Sequence, residues 1–184
     1  MHDRLGRALA DMRVRAVLPF VRGRLLDLGC GSNQLVKRYV HGIGIDVHPW
    51  SGVDLLVRDS AELPCDSQSF DTITVLAALN HIPNREDVLD ECRRVLRPDG
   101  QVLVTMLTPM ISRLWHWLRS PWDVDQRERG MKEGEVYGFT PAEVIQLFHD
   151  HGFRFSSQRR FMLGFNRLSV FHVREPGEAP TSSS

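Results

Sequence analysis

Residues able to do chemistry gather in one short run. Asp27-Leu28-Gly29-Cys30-Gly31-Ser32-Asn33 closes the apolar stretch at 24–28. Two glycines two residues apart let a ligand come close to the backbone. Ser32 or Asn33 can cap a following helix, whose first N–H groups favour an anionic group. Fifteen residues after Gly31, a second apolar stretch ends in Asp46. A carboxylate there suits the two hydroxyls of a ribose. Dinucleotide binding uses the same logic but needs G-x-G-x-x-G, and Gln34 stands in the third glycine's place.

Other reactive side chains have two readings each. Cys30 could be a nucleophile or a small filler, and no His or Asn partner is recognisable for it. His81, in Asn80-His81-Ile82-Pro83, could be a general base or could order its loop by hydrogen bonding. His116 is a second candidate base. Cys30, Cys65 and Cys92 are odd in number and form no C-x-x-C pair, so a disulfide scaffold is not expected. No carboxylate or histidine cluster has a coordinating spacing, and no metal is expected.

These groups must be positioned by elements legible in the sequence. Residues 2–20 read as a helix with Leu5, Leu9, Met12, Ala16 and Phe20 as its apolar stripe. Short strands are expected at 24–28, 43–46, 54–57, 70–76, 101–106, 153–157 and 167–173. Helices are expected at 34–39 and at 84–97, the latter capped by Asn84, with a turn at Pro98-Asp99-Gly100. Thr140-Pro141-Ala142-Glu143 opens another helix with a capping-box pattern, and Gly152 ends it. Strands alternating with helices imply a parallel sheet whose ligands bind beyond the carboxyl ends of the strands.

The chain has 184 residues, 42% apolar and 25% charged, which fits one globular domain. Lys+Arg and Asp+Glu both number 23, so no global basic footprint for nucleic acid exists. The first residues carry no apolar core of a secretory signal, and no run of about 20 apolar residues spans a bilayer. A cytoplasmic protein is expected. Residues 175–184 read as a Pro/Ser-rich disordered tail.

Four segments, in order, resemble the class I S-adenosylmethionine-dependent methyltransferases. They are Leu25-Leu26-Asp27-Leu28-Gly29-Cys30-Gly31, then Gly44-Ile45-Asp46, then Asp59-Ser60-Ala61-Glu62-Leu63-Pro64 leading to Ser69-Phe70-Asp71, and Arg94-Val95-Leu96-Arg97-Pro98-Asp99-Gly100. The likeness is narrower still to the branch holding the ubiquinone/menaquinone biosynthesis methyltransferases. It implies one Rossmann-like, doubly wound α/β domain over 1–174, with a seven-stranded, mostly parallel sheet whose last strand is antiparallel. It implies methyl transfer from S-adenosylmethionine, leaving S-adenosylhomocysteine, to a small-molecule or lipid-like acceptor such as a quinone.

The resemblance also implies roles. Asp27, Gly29, Cys30 and Gly31 would line the methionine and ribose part of the cofactor. Asp46 would hold the ribose hydroxyls. Asp59 would accept from the adenine amino group, with Ser60 offering its N–H to the ring. Residues 77–79, with Ala77 and Leu79, would pass under the methionine moiety, and His81 would stand near the methyl group. The family often has a small residue where Asn33 stands and an aromatic one where Cys65 stands.

The stretch at 109–139 is long for a connection within a domain, and in the resembling family this region helps cover the acceptor. Within it, Met110, Ile111, Leu114, Trp115, Trp117 and Leu118 share one helical face, with Arg113, His116 and Arg119 on the other. Three readings stand: a helix docked on the core, a lid in which Trp115, His116 and Trp117 meet an apolar acceptor, or peripheral membrane contact through 109–122. Two rival functions also stand: a catalytically silent cofactor- or partner-binding fold, and an RNA methyltransferase. Zero net charge and the lack of an Asn-Pro-Pro-Tyr-like motif weigh against the second, and no nucleic-acid partner is expected.

Overall fold

The structure is a computed structural model and describes residues 4–107 and 139–174. The elements run α1 (Arg4–Val17), a 3-10 turn (Leu18–Phe20), β1 (Leu25–Leu28), α2 (Gln34–Tyr39), β2 (Gly42–Asp46), β3 (Leu55–Leu56) and β4 (Phe70–Leu76). They continue with a second 3-10 turn (Leu79–His81), α3 (Arg85–Val95), β5 (Leu96–Leu107), α4 (Pro141–Asp150), β6 (Phe153–Phe161) and β7 (Asn166–Val173). The segment holding Trp115, His116 and Trp117, most of the expected 109–139 insertion, and the expected tail lie outside the described residues.

The seven strands form one sheet in the order β3-β2-β1-β4-β5-β7-β6. Pairs from β3 through β5 are parallel, whereas β7 is antiparallel to both β5 and β6. Two reversals cancel, so β6 runs with the parallel strands and only the last strand in the chain is inverted, as expected. The chain builds outward from β1 to β3 and then returns to β4. That reversal opens a crevice between the loops after β1 and β4.

Helices cover both faces, which accounts for the fully buried β1. On one face, Leu26, Leu28, Ile73 and Val75 pack with Val88, Leu89, Cys92 and Val95 of α3 and with Phe148 of α4. On the other, Leu25, Leu103, Leu168 and Val170 pack with Val14 and Val17 of α1 and Leu35 and Val36 of α2. Strand alternation places Asp27 on the second face beside Leu25. A carboxyl group is thereby set in a core position under α1.

Several expected details differ. The buried stripe of α1 runs through Val14 (4% exposed) and Val17 (0%), while Met12 is 46% exposed. The helix is therefore rotated by about one residue, roughly 100°, from the expected stripe. Asn84 precedes α3 but makes no cap bond, because its amide goes to Asp59. Neither Ser32 nor Asn33 caps α2: Asn33 is left-handed at φ 57°, and its amide donates to Gly52 O at 2.9 Å and to Asp54 at 2.8 Å. The expected turn at 98–100 lies inside β5, as a register shift between the Phe70–Leu96 and Thr72–Gln101 pairs. The capping box at Thr140 is present, with Glu143 accepting from Thr140 N at 2.6 Å and Thr140 Oγ1 accepting from Glu143 N at 3.3 Å.

Candidate functional site

The glycine loop is fixed from below by β2. Gly29 N and Cys30 N both donate to Ile45 O, at 2.9 and 3.1 Å. Gly29 is left-handed at φ +69°, and a Cβ there would meet Ala78 Cβ at 2.8 Å. Here the loops after β1 and β4 approach too closely for any other residue. Gly31 is also left-handed, yet its built Cβ meets nothing within 4 Å. It forms a bare backbone shelf.

That shelf borders a cleft of about 480 Å³, lined by Gly29, Gly31, Asp46, Ser60, Ala77 and His81, among others. An adjoining cavity of about 240 Å³ shares Gly29, Gly31 and Ser32 and adds Asp27, Cys30 and Arg13. Among the described residues given a cofactor or catalytic role from the sequence, Asp59 and Leu79 alone are missing from both linings. Leu79 is 1% exposed in the core, which leaves only its backbone for a ligand.

Asp46 sits at the end of β2, 6% exposed. Its two oxygens accept from Gly31 N and from His48 N, each at 2.9 Å. Each oxygen retains acceptor capacity toward the cleft. Two cis hydroxyls are the natural complement of such a fixed carboxylate.

Asp27 is 3% exposed and accepts from Thr74 Oγ1 at 2.6 Å, across the β1–β4 pair that places the two residues side by side. Burial pushes its carboxyl group up from 3.8 to about 7, against the lowering hydrogen bond from Thr74 and with a smaller contribution from the charge of Asp46. It is poised to ionise on meeting a cation. Burial, followed by the charges of Asp27, Asp46 and Asp54, pushes the Cys30 thiol up to about 12. Cys30 is therefore a neutral filler of the wall, not a thiolate nucleophile.

Arg13 was not anticipated from the sequence. It lines the smaller cavity, and burial alone lowers its pKa. Its Nε is buried without a hydrogen-bond partner. The residue as a whole is half-buried, so the rest of its guanidinium can reach the cavity and meet an anionic group there. A legible signal existed: Gly6, Ala10 and Arg13 fall at i, i+4 and i+7 of one helix, and all three line this region. Trp50, four residues past Asp46, also lines the cleft and packs against His48 with ring centroids 4.2 Å apart.

Asp59 has a different environment. Asn84 Nδ2 donates to both its oxygens at 3.0 and 2.9 Å, and Ala61 N donates to Oδ1 at 2.9 Å. The Asn84 bond, then that from Ala61, holds its carboxyl group below the usual range. Its neighbour Ser60 faces the cleft. After β4, Ala77 takes a left-handed φ of 54°, which folds the chain sharply over the cleft. Asn80 Nδ2 and His81 Nε2 are 3.1 Å apart; the amide donates, so Nε2 accepts.

Together these groups offer a carboxylate shaped for a diol, a bare glycine shelf, and opposite charges at the far end. A nucleoside carrying an α-amino-acid tail would complement these groups. Among the described residues no group of three or more His, Cys, Asp or Glu could hold a metal, and no helix is long and apolar enough to cross a membrane.

Residues 26–104 match the family described as a methyltransferase domain. A ubiquinone/menaquinone biosynthesis C-methyltransferase UbiE from Burkholderia mallei (strain SAVP1) is 27% identical over 155 residues, 70% of this chain and 62% of the relative. The chain thus spans less than two thirds of the length of that relative. The PH0226 protein of Pyrococcus horikoshii OT3 shares the fold at TM-score 0.69 and 18% identity, covering 94% of this chain and 93% of that one. The 1,6-didemethyltoxoflavin-N1-methyltransferase of Burkholderia thailandensis, solved with 1,6-didemethyltoxoflavin and S-adenosylhomocysteine, aligns at TM-score 0.67 and 15% identity over 92% of this chain and 83% of its own. Residues 26–104 of the chain are thus similar to the methyltransferase-domain family, on a fold that solved methyltransferases share.

Proposed function

We propose that this chain transfers a methyl group from S-adenosylmethionine to an apolar small molecule of lipid or quinone type. The observation that carries the cofactor assignment is the pair of adjoining cavities around the Gly29–Gly31 shelf: Asp46 on the cleft, its carboxylate fixed by Gly31 N and His48 N, and buried Asp27 with Arg13 in the smaller cavity. Asp46 holds the ribose hydroxyls. Ser60 and Trp50 border the adenine, with Asp59 behind Ser60. Arg13 and Asp27 hold the carboxylate and ammonium of the methionine end, and Ala77 closes over it.

The cofactor supplies a methyl group already activated by a sulfonium. The chain's work is to orient an acceptor and exclude water. His81 lines the same cleft as Ala77, which supports a place beside the acceptor. It takes a proton from the acceptor once its Nε2 exchanges Asn80 for the substrate. His81→Gln is then expected to lower kcat by about 100-fold while leaving cofactor affinity unchanged. Equal losses in both would make it a loop-ordering residue.

The apolar acceptor is supported by the UbiE relatives and by the Trp-bearing sequence at 109–122. Methyl transfer from radiolabelled S-adenosylmethionine into an extract of the source cells tests it. Label in the organic-soluble fraction, lost in Asp46→Ala, is the expected result. Label in the small polar fraction keeps the enzyme and overturns the acceptor class. Nuclease-sensitive macromolecular label favours RNA. No label at all, with cofactor binding intact, favours a silent binder.

A further inference from the structure

The β6–β7 hairpin carries a feature that the cofactor cleft does not use. Its turn, Met162-Leu163-Gly164-Phe165, joins the Phe161–Asn166 pair. Met162, Leu163 and Gly164 are all left-handed, at φ 51°, 57° and 85°. Asn and Gly are the usual residues at such positions, because bulky side chains strain them. Here a methionine and a leucine occupy them. Leu163 is 93% exposed, and Phe165 is 45% exposed. An apolar side chain held out on a strained turn serves neither the local backbone nor the core.

The surroundings of that tip are cationic. Residues 151–174 contain five arginines and no Asp or Glu, in a chain with zero net charge. Arg154, Arg159 and Arg160 are exposed on β6, the edge strand of the sheet. Arg159 lies over the Phe20 ring at 5.1 Å.

The hairpin also has a definite place. Asn166 pairs with Leu107 at the carboxyl end of β5. The tip therefore projects beyond the same end of the sheet that holds the cleft. An exposed apolar tip rimmed by cations is complementary to the boundary of an anionic bilayer, where the apolar groups enter the acyl region and the arginines meet the headgroups.

We propose that the Met162–Phe165 tip inserts into the surface of an anionic membrane, with Arg159 and Arg160, the β6 arginines next to the turn, on its headgroups. This contact turns the carboxyl end of the sheet, and with it the cleft, toward the lipid. The hairpin needs no bound cofactor for the contact, so it is tested separately from methyl transfer.

The experiment is co-sedimentation of the full chain with vesicles of phosphatidylcholine plus phosphatidylglycerol, compared with phosphatidylcholine alone. Partition onto the anionic vesicles, weakened by salt, is expected. Leu163→Asn should reduce it roughly ten-fold or more, the effect of one buried leucine side chain. Arg160→Gln should reduce it roughly five-fold. Asn suits a left-handed turn, so Leu163→Asn should melt no lower than the parent chain, and its loss of binding is then not unfolding. Wild type remaining in the supernatant overturns the proposal. So does salt-sensitive binding that Leu163→Asn leaves unchanged, which marks either a general polyanion surface or a contact through 109–122.

Discussion

At the scale of single residues, Asp27 and Arg13 share the smaller cavity, and the proposed cofactor would meet both. Without a ligand, Asp27 has a folded pKa of about 7 against an ordinary 3.8. The folded state binds the extra proton between those values. Its contribution to stability is therefore fully present below about pH 3.8 and is lost as pH rises through about 7. A bound ammonium needs the ionised form. Affinity for S-adenosylhomocysteine should accordingly fall by up to about ten-fold per unit below about pH 7, and Asp27→Asn should flatten that dependence while weakening binding. Calorimetry across this range checks it. Arg13→Met should weaken cofactor binding, by about ten-fold or more, with little change in melting temperature, because the half-buried Arg13 makes no hydrogen bond to the fold through its Nε. A fall in both would mean that Arg13 serves the fold.

At the scale of elements, two of the residues that read as helix caps, Thr140 and Asn84, separate cleanly. Thr140 forms a full capping box, and Thr140→Ala should cost about 1 kcal/mol in denaturant unfolding. Asn84 makes no cap bond and instead clamps Asp59. Asn84→Ala should cost α3 little, while the Asp59 carboxyl group rises toward its ordinary pKa, as read by NMR titration. Sequence alone does not distinguish the two, because an asparagine at a helix start can turn its amide either inward or to a neighbouring loop. Similar ambiguities account for the other differences. The stripe of α1 is misread because two apolar stripes compete on it, one through Leu9 and Met12 and one through Val14 and Val17, and packing against the sheet selects the second. The outer half of β6 is missed because an edge strand can be polar on both sides. By contrast, the glycine loop, Asp46 and the strands that carry them are legible, since their residue types have few other uses at those spacings.

At the scale of the whole molecule, the order of the sheet matters more than any single strand. The reversal between β1 and β4 brings together Gly29, Ala77 and Asp46, which no local pattern joins. The far end supplies stability. Phe148 is fully buried, stacked on Phe171 at 4.0 Å and edge-on to Phe153 at 5.5 Å. Phe148→Ala should cost about 3–5 kcal/mol, a large share of a typical total of about 5–15 kcal/mol, read as a shift in denaturant midpoint.

The account rests most directly on the cleft being a nucleoside site anchored by Asp46. Isothermal titration of S-adenosylhomocysteine into the wild-type chain and Asp46→Ala is the decisive measurement. The account predicts saturable one-to-one binding, weakened by roughly 10–100-fold in the variant, as the loss of a charge-assisted hydrogen-bonded pair requires. Equal affinity in the two proteins, or no binding to either at neutral pH, would contradict it.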